Sequence, residues 1–253
     1  MPAVVKVREA ANRAKCFNNL KQIVLAMHNH NDAMNVLPPL AGSFPKKDDP
    51  SVGTLFFYLL PYVEQDNLYK NAFDESDPNS KGYKVWVHDT YGKAVSVFIC
   101  PEDKSNPNGE LFHGWLATSS YAGNALVFGK GTPQGDPISL EGAATIPASF
   151  PDGTSNTMVI AERYQKCGAD ANAWGYYGDY YWVPAFAYYG AGKFQTTPTQ
   201  QACDPALAQT SHSRGMNVGL GDGSARMLSS KISGQTYWHA CTPAGGEVLG
   251  ADW

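Results

Sequence analysis

The sequence predicts an α+β fold in which one long N-terminal α-helix lies on an antiparallel β-sheet. Two patterns predict it. Val7, Ala10, Ala14, Phe17, Leu20, Val24 and Met27 follow one another at spacings of three or four, the period of a single helical stripe. After Pro38-Pro39 the pattern changes to short apolar runs separated by Gly, Pro, Asn and Asp, the signature of strands and turns. At 253 residues, 43% hydrophobic and 17% charged, the chain has enough apolar material for a full core.

The helix is expected from about Ala3 to Met34, with Pro38-Pro39 preventing its continuation. Residues 1–36 then form the helix and residues 37–253 a globular head. Thirty residues make a rod about 45 Å long, longer than the head needs, so the first turns lack a partner within the chain. Ala3, Ala10, Ala11 and Ala14 suit close packing against another helix. Leu55 to Val63 reads as a buried helix broken at Pro61, followed by a short amphipathic turn at Leu68-Tyr69. Strands are expected at Val95–Ile99, Ser120–Ala122 and Met158–Ile160. A hairpin is expected from Met216–Leu220 and Ser224–Leu228, joined at Gly221-Asp222-Gly223. Alternation places Asn217, Gly219 and Gly221 on one face and Met216, Val218 and Leu220 on the other. The long helix is expected to cover the sheet's apolar face. Ser233 is placed to cap a last helix through Thr236-Tyr237-Trp238, ended by Pro243 and Gly245-Gly246.

Between about residues 167 and 203 the composition changes. Trp174, Tyr176, Tyr177, Tyr180, Tyr181, Trp182, Phe186, Tyr188, Tyr189 and Phe194 crowd a glycine-punctuated insertion. So many rings exceed what one loop can hide. Trp174, Tyr177, Tyr181 and Trp182 are candidates to contact a polysaccharide or a protein. Cys167 and Cys203 bracket the insertion and are expected to staple its base in an oxidising compartment, a closure of about 3–4 kcal/mol. Cys16, Cys100 and Cys241 leave their pairing open, and five cysteines leave one thiol free or paired between chains.

No Cys-x-x-Cys pair and no zinc-type Cys/His spacing occurs, so no structural metal cluster is expected. His28 and His30 point to different helix faces, and Asp32 is spaced to pair with His28 at the surface. Asp152-Gly153-Thr154 and Asp222-Gly223-Ser224 are oxygen-rich turns, with Asp152 and Asp222 as the candidate carboxylates for a calcium ion. No phosphate-binding loop, zinc-protease helix or nucleophile elbow is present, and an enzyme is not expected. A net charge of −4 gives no electrostatic reason to bind nucleic acid.

Five segments in order carry a family resemblance. They are Arg8 to Ile23 with His28 and Asp32, then Phe98-Ile99-Cys100-Pro101, then Pro151 to Glu162. His212 followed by nine residues and Asp222-Gly223 is the fourth, and Gly245-Gly246-Glu247-Val248 the fifth. Together they resemble prepilin-type proteins with the processing-associated H-x9-DG domain, relatives of type IV pilins and type II secretion pseudopilins. The resemblance implies a pilin-like head whose N-terminal helix continues into an apolar half that these residues do not include. It implies an inner-membrane anchor behind a short leader that prepilin peptidase removes, a periplasmic or cell-surface head, and other pilin-like subunits as partners. Calcium bound by related major pseudopilins adds to the interest of Asp152 and Asp222. Glu162, His212, Asp222 and Gly223 are expected to meet in a buried polar network that locks the hairpin to the preceding strand.

Overall fold

The computed structural model describes residues 2–45, 51–76, 81–130, 139–178, 181–188 and 192–253, with side chains of the first helix described from residue 7 onward. Tyr180 and Tyr189 of the insertion lie outside the described residues. The fold is α+β. Helix α1 (Pro2–Met34) crosses a five-stranded sheet of β1 (Tyr121–Asn124), β2 (Met158–Glu162), β3 (Ala185–Phe186), β4 (Gly215–Leu220) and β5 (Ala225–Ser229). The strand order is β5-β4-β2-β1-β3. All neighbours are antiparallel except the edge pair β1 and β3.

Only the second half of α1 is sealed. Val7 through Ala11 are exposed, and Val7 is 68% accessible. Burial begins at Cys16 and continues through Leu20, Ile23, Val24, Ala26 and Met27. Thus Ala10 and Ala14, read as stripe residues, face outward, and Phe17 is half-buried. The stripe is completed by polar residues with partners in the head. The Asn19 side chain donates to Ile99 O (2.8 Å), and Asn31 Oδ1 accepts from Ile146 N (3.1 Å).

The helix takes the other face of the sheet from the one its apolar residues suggest. Registry places Tyr121, Gly123, Ile160, Glu162, Asn217 and Gly219 on one side, since Gly219 pairs with Ile160 and Ile160 with Gly123. That small-residue side receives α1: a Cβ on Gly219 would overlap the Val24 side chain. Close approach of a helix requires the missing side chain. Met216, Val218 and Leu220 point away and form a second core with Ile232, Tyr237 and Trp238. The C-terminal helix Gly234–His239 carries the last two rings, and Ser233 caps it by accepting from Thr236 N (3.1 Å).

Leu55–Leu59 is a buried helix, and Pro61 falls in a 3₁₀ turn over Leu60–Val63 before a further helix at Asp66–Asn71. Residues 95–99 are not a strand. Ser96–Phe98 forms a 3₁₀ turn with Val95, Val97 and Phe98 buried. Its apolar run fills core from a curled backbone, and Phe98 O accepts from Ser120 N (2.7 Å) instead of joining a ladder. Gly219→Ala is predicted to lower stability by about 1–3 kcal/mol, the range for overpacking a tight core site. Denaturant unfolding of Gly219→Ala against the wild type checks this.

Candidate functional site

Where α1 meets the sheet, four groups from distant segments converge under full burial. Glu162 ends β2, His212 precedes β4, Cys16 lies on α1, and Cys100 follows the 3₁₀ turn. Glu162 is the hub. Its Oε2 accepts from Thr210 Oγ1 (2.6 Å) and Asn217 N (3.1 Å), and its Oε1 accepts from Asn217 Nδ2 (2.7 Å). His212 Nε2 lies 3.1 Å from Oε1 and 3.9 Å from Cys100 Sγ. Burial works to lower the His212 pKa, but the Glu162 hydrogen bond and charge outweigh it, and the net shift is upward. A buried carboxylate needs this many donors.

Cys16 and Cys100 are joined in a disulfide across 84 positions. Closing a loop of that size contributes about 4.5 kcal/mol by restricting the unfolded chain, and it fastens α1 to the head. Tyr121 adds a second fastening by donating from its hydroxyl to Cys16 O (2.9 Å). Cys167 and Cys203 form the bridge at the base of the aromatic insertion, and Cys241 is a buried free thiol.

Asp222 is outside the network expected for it. It is exposed, and Oδ1 accepts from Ser224 N (2.9 Å) within its own turn. The two residues beyond a hairpin strand's end turn the carboxylate to solvent, while Gly223 adopts φ +89° and sits against His28. Asp152 Oδ2 accepts from Gly245 N (2.7 Å) and Oδ1 from Gly246 N (3.0 Å), tying its turn to the C-terminal one. Asp152 and Asp222 thus each hold backbone N–H groups in separate turns. His30 is buried, with Nδ1 3.1 Å from Val36 O.

Two more buried charged groups were not anticipated. Arg163 donates to the carbonyls of Val183 (2.8 Å), Ala185 (3.0 Å), Tyr181 (2.7 Å) and Pro205 (2.8 Å), and so anchors the insertion. Asp103 accepts from Ser105, Ser120 and Gln165, and burial pushes its carboxyl pKa up. Both lie in unremarkable sequence, where a single charge gives no sign of burial.

The aromatic insertion is divided. Trp174, expected at a contact surface, is fully buried and donates from Nε1 to Lys93 O (2.9 Å). Trp182 is half-buried, with Nε1 bonded to Asp170 Oδ1 (3.0 Å). Tyr177 and Tyr181 keep exposed surface. Tyr177 shares a cleft of about 360 Å³ with Tyr176 and with Trp86, Tyr91 and Trp115 from outside the insertion. Gly175 makes the cleft floor possible, because a Cβ there would press on Tyr91.

A family model described as a protein of unknown function (DUF1559) matches residues 5–235, and the chain belongs to that family. The match runs from the first helix into the last. No curated protein and no solved structure matches the chain.

The two buried histidines predict opposite pH slopes. Burial lowers His30 to about 4, so its contribution is present above the unfolded value near 6.5 and is lost as pH falls toward 4. The full loss is about 3 kcal/mol. His212 is raised, so its contribution is present below about 6.5 and is lost as pH rises through its folded value. Unfolding free energies measured from pH 4 to 8 should therefore peak close to the unfolded histidine value of about 6.5. His30→Gln should flatten the acid side and His212→Gln the alkaline side.

Proposed function

We propose that this chain is a non-enzymatic structural subunit of a type IV pilin-like filament, in the manner of a type II secretion pseudopilin. One observation carries the reading: α1 is divided into a half welded to the head and a stretch, Val7 to Ala11, whose described side chains are exposed. Below that stretch Asn12 reaches the head through Nδ2 to Glu102 Oε1 (2.6 Å). Above it Val7 and Ala10 are exposed on a helix too short of internal contacts to be stable alone. Helices of neighbouring copies supply the missing contacts in this reading. Membership of the family matched over residues 5–235 and the resemblance to prepilin-type proteins support it.

In this account an apolar continuation of α1 anchors the subunit in the inner membrane, prepilin peptidase removes the leader, and the head faces the periplasm or cell surface. Among the described residues no helix is long and apolar enough to cross a membrane. The test is a photo-crosslinking residue at Val7 in the natural reading frame, expressed in the native cell. The expected result is a ladder of multiples of the subunit mass, abolished when the crosslinker is moved to the exposed Met227 of β5. A subunit that crosslinks to nothing at Val7, or a reading frame with no apolar stretch ahead of Pro2, contradicts the proposal.

The cleft around Trp115 and Tyr177 favours a second role carried by the same head, binding of polysaccharide. Trp115 and Tyr177 are each 42% exposed. The Trp86 and Tyr177 rings pair at 5.3 Å, and the Tyr91 and Trp115 rings at 5.2 Å, giving apolar faces on which pyranose rings stack. Co-sedimentation with insoluble polysaccharides is expected to weaken roughly tenfold in Trp115→Ala and Tyr177→Ala, in line with the loss of one to two stacking contacts. Equal sedimentation of wild type and both variants removes this role.

A further inference from the structure

The Cys16–Cys100 bridge lies against Glu162 and His212, and these four residues bring together every donor type that zinc favours. One ligand-capable atom from each lies within 4.8 Å of the others. The geometry points to a second state of this centre: when the disulfide is reduced, Cys16, Cys100, His212 and Glu162 bind one divalent soft or borderline metal ion, Zn²⁺ being the natural choice.

The spacings already approach a tetrahedral site. With Zn–S near 2.3 Å and Zn–N and Zn–O near 2.0–2.1 Å, tetrahedral ligands sit about 3.5 Å apart for sulfur to nitrogen and about 3.3 Å for nitrogen to oxygen. Here Cys100 Sγ is 3.9 Å from His212 Nε2, and Nε2 is 3.1 Å from Glu162 Oε1. The two sulfurs, now bonded, have to part, and all four ligand atoms already lie within 4.8 Å of one another. Outer contacts that orient ligands are in place as well. Thr210 and Asn217 hold the Glu162 carboxylate from three donors, the kind of support that sets ligand geometry and metal affinity. A cavity of about 10 Å³ lined by Cys100, Glu162 and Asp103 adjoins the centre, space for about one water-sized guest.

The step balances without a hidden reagent. A dithiol gives two electrons and two protons to the disulfide and becomes a disulfide itself, leaving two thiols. Zn²⁺ then takes both as thiolates and releases two protons. Reoxidation by a disulfide donor expels the ion. Disulfide and metal are alternative clasps between α1 and the sheet.

The test uses the whole chain with Cys167→Ser, Cys203→Ser and Cys241→Ala, so that Cys16 and Cys100 are the sole cysteines. A phosphine, itself oxidised to the phosphine oxide with water's oxygen, reduces the bridge, and Co²⁺ is the probe. Expected is one Co²⁺ per reduced chain, with a thiolate-to-cobalt charge-transfer band and tetrahedral ligand-field bands, displaced by Zn²⁺. The oxidised chain shows neither band. Thr210→Val should weaken Co²⁺ binding by about 10- to 100-fold, and His212→Ala by at least as much. Near-UV circular dichroism follows the fold throughout. A reduced chain that stays folded and gives no thiolate band overturns the proposal, as does a band indifferent to His212→Ala. If reduction unfolds the chain, recovery of the native spectrum on adding Zn²⁺ supports the site, and failure to recover overturns it.

Discussion

The burial of one carboxylate organises the molecule. Glu162 is held 3% exposed between a helix and a sheet, a position that is tolerable only if its lone pairs are met. The donors come from Thr210, from both the backbone and side chain of Asn217, and from His212. Those residues cannot all reach Glu162 unless β2, β4 and the segment before β4 are in register. The polar hub thus specifies the sheet pairing that apolar alternation alone leaves free to slip. Its position directly beneath Cys16 then fixes where α1 lands.

From that landing point the helix has two characters. Below it, Leu20, Ile23, Val24 and Met27 are fully buried, Gly219 makes room for Val24, and Asn19 and Asn31 bond to the head. Above it, among the described side chains, the helix has an Asn12–Glu102 bond to the head, an Arg13–Glu9 pair at 3.0 Å, and exposed residues from Val7 to Ala11. An exposed pair of this kind contributes only a few tenths of a kcal/mol. On the proposed reading, helices of neighbouring copies supply the contacts the upper half lacks. A rod held at one end and exposed toward the other is the shape that the proposed lateral stacking of subunits calls for.

Much of this is legible in the chain. The helix bounds follow from a regular apolar period and from Pro38-Pro39, both local signals. The hairpin around Gly221-Asp222-Gly223 and the Ser233 cap are equally local. What escapes is whatever depends on the partner surface. Ala10 and Ala14 fit the period but have nothing beneath them, because periodicity reports the helix and not the length of what it packs on. The choice of sheet face went against hydrophobicity, since a closely packed helix needs Gly219 more than it needs Val218. The Val95–Ile99 run is apolar because it is core, yet it curls. Asp222 carries the motif but the hub uses Asn217. Trp174 and Trp115 look alike in sequence, and only burial separates a core ring from a surface one. Cys16 and Cys100 each sit in a recognisable segment, which hinted that both mattered without showing that they touch.

Native-state hydrogen exchange tests the division of α1 most directly. Amides of residues 16–31 are predicted to exchange only with the unfolding that also frees β2 and β4, while those of residues 7–14 exchange with little protection. In Glu162→Gln the first group should lose protection together with β4, and the second should not change. Equal protection along the whole helix, or a lower half that keeps its protection when β4 has lost it, would contradict a rod anchored at its base by the Glu162 hub.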